Sequence, residues 1–145
     1  GGIRNGADVA KALALGADAI SIGHSVLMAL NCNKNIPESN YPEEIGVEPG
    51  YCYHCHTGRC PVGVATQDPK LRARLDPDEA AERVYNFLHT LTIEAQLFAR
   101  ACGKTNIHSL EPEDLAALTM EASAMAGVPL AGTNYTVGVE DYHHL

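Results

Sequence analysis

Apolar positions in the first thirty residues fall into two rhythms. Residues 7–15, Ala7-Asp8-Val9-Ala10-Lys11-Ala12-Leu13-Ala14-Leu15, are rich in helix formers, with Asn5 or Gly6 placed to cap them and Gly16 to stop them. Residues 17–23, Ala17-Asp18-Ala19-Ile20-Ser21-Ile22-Gly23, are short and almost wholly small or apolar, the pattern of a buried parallel strand. Residues 25–30 return to a helical composition. Turn, helix, strand, helix is the repeating unit of a parallel α/β fold.

From Asn31 to about Pro69 the period disappears. This stretch holds Pro37, Pro42, Pro49, Pro61 and Pro69 together with Gly46, Gly50, Gly58 and Gly63. A long irregular segment within a compact domain is unusual and normally functional, and a bound inorganic group would supply the order that hydrogen-bond ladders do not. Helical pattern resumes at Asp76-Pro77-Asp78-Glu79, with an Asp cap, Pro at the first position and Glu at the third. It runs to about Cys102, with Val84, Leu88, Leu91, Ala95, Phe98 and Cys102 as an apolar stripe, which makes Cys102 an expected core residue, and Gly103 ends it. A further helix is expected over residues 112–126, with Leu115, Leu118, Ala122 and Met125 on one face and Gly127 and Pro129 ending it. Residues 130–145 have no clear period and read as a tail that docks elsewhere. There is no internal repeat and no low-complexity segment.

Length and composition narrow the classes. The chain has 145 residues, the size of one ordinary domain, and its 46% hydrophobic and 19% charged residues suit a soluble globular protein. No apolar run approaches the ~18–20 residues of a membrane span, and no basic start followed by an apolar block marks a secretory signal. A cytoplasmic location is therefore expected. Eighteen acids against ten bases give a net charge of −8, which argues against a nucleic-acid binder. With no Trp, the core must be aliphatic and Ala-rich. The chain opens on a glycine turn without Met, and a turn needs an element before it; a carboxyl-terminal fragment of a longer protein is the expectation.

Two constellations carry candidate chemistry. Gly1-Gly2-Ile3-Arg4-Asn5-Gly6 leads directly into a helix, and Gly23-His24 closes the next strand and opens another. Backbone N–H groups at such turns favour an anion, and Arg4 adds a forked charged contact suited to phosphate. Paired strand ends of this kind form the phosphate site of the last two units of a (β/α)8 barrel; a plain βα turn with strain-relieving glycines is the alternative. The second constellation is Cys52-x2-Cys55-x4-Cys60, with Cys32 and Cys102 outside it. A disulfide framework and a metal or cluster site compete, and the cytosolic α/β character of the rest, where thiols stay reduced, points to the metal or cluster.

The run from Gly1 to Gly23 resembles strands seven and eight of FMN-dependent barrels, a pattern shared by glycolate oxidase-like enzymes, IMP dehydrogenase and glutamate synthase. His56-Thr57-Gly58-Arg59-Cys60-Pro61-Val62-Gly63-Val64-Ala65-Thr66-Gln67-Asp68-Pro69, with Asn86-Phe87 on the following helix, resembles the iron–sulfur region of the glutamate synthase large subunit. The likeness is dense over residues 1–32 and 52–103 and weak over 33–51 and after 110.

The resemblance implies the carboxyl-terminal part of an FMN-binding (β/α)8 TIM barrel over residues 1–31. An iron–sulfur loop over 32–70 and a helical extension over 71–145 would follow. It implies FMN phosphate held at Gly1, Gly2, Arg4, Gly23 and His24, although the family carries Thr or Arg where His24 stands. His24 would then meet the phosphate or point into solvent. It implies a 3Fe–4S centre on Cys32, Cys55 and Cys60, with about seventeen residues inserted after Cys32 and Cys52 as an extra thiol. Four thiolates would also suit a 4Fe–4S centre, and zinc is the rival metal. His54 and His56 are bystanders on this reading, or else ligands; Arg59, Lys70, Arg72 and Arg74 form a solvated face or meet an acidic electron donor.

The implied activity is reduction of 2-iminoglutarate to L-glutamate by a flavin-dependent oxidoreductase. Its implied partners are 2-oxoglutarate as substrate, a glutaminase domain or subunit, and an NAD(P)H-oxidising subunit or ferredoxin. An N-methylglutamate synthase-like enzyme and a zinc-stabilised interaction module without redox activity are the alternatives.

Overall fold

A computed structural model describes residues 1–37 and 50–139. Helix α1 spans Gly6–Ala14, α2 His24–Ala29, α3 Pro69–Arg72, α4 Pro77–Ala101 and α5 Met120–Ala126. Short 3-10 turns occupy His54–His56, Ile107–Ser109 and Pro112–Asp114. The chain divides into two compact units. The first holds Gly1–Ile3 and Ile22–Thr90, the second Arg4–Ser21 and Leu91–Leu145, so the boundary falls within α4.

Local chemistry sets the helix starts. Asn5 is the cap of α1, its side chain accepting from the Asp8 N–H at 3.0 Å. Asp76 accepts from the N–H groups of Asp78 and Glu79 at 3.0 and 3.2 Å, and with Pro77 as first residue α4 extends for 25 residues, as its sequence predicts. Asp68 caps α3 in the same way through Lys70 and Leu71. Gly127, at φ 66°, ends α5 in the left-handed conformation.

Three expectations are corrected. Residues 17–23 form no strand; among the described residues the sole β pairing is an isolated parallel bridge between Ala117 and Leu130. A buried parallel strand exists only between neighbours that bond its N–H and C=O groups, and no described segment pairs with this one. The helix expected over 112–126 breaks in two. Ala117 donates to the Pro129 carbonyl and accepts from Ala131, both at 2.8 Å, so the chain is extended there and restarts as α5 behind the Thr119 cap. Leu118 and Met125, expected on a core face, are exposed, and the fully buried position is Ser123.

Cys102 is the third correction, for it is exposed. The second unit packs α1 against the latter part of α4 through small residues. Gly6, Ala10 and Ala14 lie on α1, and Leu91, Ala95 and Ala99 are the buried positions of that part of α4, with Leu110 closing the cluster. A seam of Gly and Ala brings helices close, so the larger Phe98 is left at the rim with Cys102, beside an apolar cavity of about 260 Å³ that Ala7, Leu110 and Leu115 also line. Leu88 is likewise exposed.

The irregular segment is aperiodic where it is described, apart from its 3-10 turn. Residues 38–49, with Pro42, Gly46 and Pro49, lie outside the described residues, as do 140–145 of the tail. Residues 130–139 dock on α5: Ser123 Oγ donates to the Val128 carbonyl at 2.7 Å and accepts from the Val137 N–H at 3.0 Å. No helix among the described residues is long and apolar enough to cross a membrane.

Candidate functional site

In the first unit, the Ser25 hydroxyl donates to the Ile3 carbonyl. This bond ties Gly1–Ile3 to the first turn of α2, which follows Gly23 and begins at His24. Gly2 sits at φ 83°, where a side chain is strained. Gly1, Gly2, Gly23 and His24 are exposed, and a Cβ built on any of the three glycines meets no atom within 4 Å. The turn therefore has open space at its backbone, the form needed for a group that approaches the main chain. Arg4 belongs to the second unit. Its backbone N–H and its Nε lie 3.1 and 3.6 Å from Asp8 Oδ2, and its side chain is mostly exposed.

The cysteines of interest also lie in the first unit. Cys60 is buried, Cys32 and Cys52 are half-buried and Cys55 is exposed. Burial pushes the Cys32 thiol above its ordinary range, and the nearby Cys60, Cys55 and Cys52 thiols push it further, while the Gly50 N–H that it accepts pulls it back. Cys32 thus feels the other three thiols although a long connection separates it from them. Among the described residues, no three Cys, His, Asp or Glu side chains converge to hold a metal ion. The donor chemistry, four sulfurs of which one is buried and two partly so, fits a sulfur-ligated cluster.

The Cys60 turn is the best fixed part of this site. The Gly63 N–H donates to the Cys60 carbonyl at 3.2 Å, and Cys60 packs with Ile36 and Val62. Thr66 Oγ1 donates to the Gly58 carbonyl and accepts from the Asp68 N–H. His54 accepts through its carbonyl from Thr57, and His56 is exposed. The basic run divides: Lys70 and Arg72 are exposed, as a solvated face requires, but Arg74 is half-buried and donates from Nη1 to the Pro61 carbonyl at 2.6 Å. Sequence reading missed that role, and the roles of Lys34 and Gly50, because each depends on a partner distant in sequence.

Comparison with known proteins bears on what this arrangement is. Residues 1–35 match the family model described as FMN-dependent dehydrogenase, and residues 44–105 match the conserved region in glutamate synthase. A glutamate synthase large subunit-like protein of Rhizobium meliloti is 56% identical over 138 residues, 95% of this chain and 31% of that protein. An archaeal-type glutamate synthase [NADPH] of Thermotoga neapolitana and an archaeal glutamate synthase [NADPH] of Methanocaldococcus jannaschii are each 42% identical over 110 residues, 76% of this chain and 18% of theirs. No solved structure matches. The chain spans about a third or less of the length of these relatives.

The open glycine turn and the match that covers it define a segment of an FMN-dependent oxidoreductase class. With the cysteine loop and α4 lying in the second match, the chain belongs to the glutamate synthase family.

Proposed function

We propose that the chain supplies the flavin-phosphate turn and the iron–sulfur loop of a glutamate synthase-type enzyme that reduces 2-iminoglutarate to L-glutamate. What supports this reading is the Cys52-Cys55-Cys60 loop, whose buried Cys60 packs with Ile36, four residues beyond Cys32, within a chain whose other end presents an open glycine turn. Residues 1–31 are read as the last units of the FMN-binding (β/α)8 barrel, 32–70 as the cluster loop and 71–145 as a helical extension.

When bound, FMN supplies hydride transfer and the cluster supplies single-electron transfer. The chain's own part is to hold them. Backbone N–H groups at Gly1, Gly2, Gly23 and His24 receive the phosphate, with Arg4 as its charged neighbour. Cys32, Cys55 and Cys60 ligate the cluster, and Cys52 adds a fourth thiol. Burial of Cys60 keeps water from that side. The partners proposed are 2-oxoglutarate, a glutaminase domain or subunit that delivers ammonia, and an NAD(P)H-oxidising subunit or ferredoxin.

Iron, acid-labile sulfide and low-temperature EPR on the anaerobically purified full-length protein test the reading. Cys55→Ser and Cys60→Ser should abolish the signal, and Cys102→Ser should retain it. Loss with Cys32→Ser alone indicates three ligands; changes with both Cys32→Ser and Cys52→Ser indicate four. Zinc in place of iron would overturn the electron-transfer role.

A further inference from the structure

Cys32 and Cys60 are twenty-eight positions apart, yet a chain of polar contacts joins their surroundings. Lys34, two residues beyond Cys32, donates from Nζ to the Arg74 carbonyl at 3.4 Å. Arg74 in turn donates from Nη1 to the carbonyl of Pro61, the neighbour of Cys60, at 2.6 Å. Pro61 is fully buried and has no N–H, so its carbonyl is its one backbone polar group. A buried acceptor of this kind is costly unless a donor reaches it, and the guanidinium does. Behind Arg74, the Leu71 carbonyl lies so close to Gly63 that no side chain fits between them, which fixes α3 against the Cys60 turn.

We propose that Lys34 and Arg74 are positioning residues that hold the Cys60 turn in register with the Cys32 segment, in place of sequence proximity. The proposal takes Cys32 and Cys60 as cluster ligands from the preceding section. The polar chain can be tested without that assumption.

The test is residue-resolved alkylation by iodoacetamide, read by mass spectrometry on the metal-free full-length protein, with circular dichroism to confirm the fold. Cys60 should be the slowest of the five thiols. Arg74→Met should speed its alkylation about tenfold, the scale of one lost charged hydrogen bond. Arg74→Lys keeps the charge without the fork and should speed it less. Lys34→Met should also release Cys60, and it decides the matter if Arg74→Met does not fold. Cys60 protected as in the wild type in the folded variants would overturn the proposal.

Iron content per chain is read on the same proteins. It should fall in Arg74→Met and be partly restored in Arg74→Lys. A wild-type protein that takes up no iron defeats the cluster reading alone, since Cys60 protection still reports on the polar chain.

Discussion

The Gly6 backbone N–H donates to Glu94 Oε2 at 2.7 Å, so α1 begins directly against the side of α4 within the second unit. The same approach leaves no room for a side chain: a Cβ on Gly6 would lie 2.2 Å from Glu94 Cβ and 2.6 Å from the Ala95 nitrogen. Gly6→Ala should therefore destabilise by about 1–3 kcal/mol through overpacking, despite alanine's better helix propensity. Urea unfolding followed by circular dichroism measures it, and a stabilised variant would show that α1 does not sit there.

Gly63 combines a φ of 84° with a contact that a side chain would make impossible, a Cβ position 2.4 Å from the Leu71 carbonyl. Gly63→Ala should cost about 2–4 kcal/mol from backbone strain and overpacking together. Hydrogen exchange at the residue-63 amide, which is bonded to the Cys60 carbonyl, should quicken accordingly. An unchanged exchange rate would contradict the geometry.

Ser123 is fully buried and serves both the Val128 carbonyl and the Val137 N–H. Ser123→Ala leaves both without their partner and should cost about 1–3 kcal/mol. Its signature is local: the Val137 amide should lose exchange protection before the α4 amides do.

Asp8 is paired with Lys11 at 3.1 Å and accepts from the Arg4 backbone N–H, and these contacts hold its carboxyl below the ordinary 3.8. A lowered folded-state value means stability that is present above about pH 4 and is lost as pH falls through the folded value. NMR titration of the Asp8 side-chain carboxyl should show the shift. Asp8→Asn should flatten the acid limb of the stability profile by the corresponding amount.

What was legible in the sequence was the chemistry that is local. The Asp76-Pro77 start of α4, the Asn5 cap of α1 and the Gly127 stop of α5 each depend on a few adjacent residues, and they stand where expected. Cys102 was misplaced because the periodic stripe weighs side chains by hydrophobicity, whereas Ala95 and Ala99 face α1 and displace Phe98 and Cys102 to the rim. Residues 112–126 were misread because a helical pattern gives no sign of the pairing between Ala117 and Leu130. The strand over 17–23 lacks a described neighbour to complete it. In the cysteine site, the close spacing of Cys52, Cys55 and Cys60 was visible. Cys32 was joined to them only through the family resemblance, because the contacts on that side, Gly50 with Cys32, Lys34 with Arg74 and Arg74 with Pro61, link residues far apart along the chain.

Gly50 stands at φ 87°, its missing Cβ only 3.0 Å from Asn33 Cβ, and its N–H reaches the Cys32 sulfur. Asn33 and Gly50 are thus two posts set close together, and the chain leaving the first still serves the thiols as far as Ile36, through Lys34 on the Arg74 carbonyl and Ile36 on Cys60. Closing a loop costs free energy that grows only with the logarithm of its length, about 0.6 kcal/mol for each doubling. With Lys34 and Ile36 kept in place, evolution can therefore lengthen or shorten the remaining connection to Gly50 at little entropic cost. By the same logarithm, an epitope or a fluorescent reporter spliced in beyond Ile36 would add little to the cost of closing that connection.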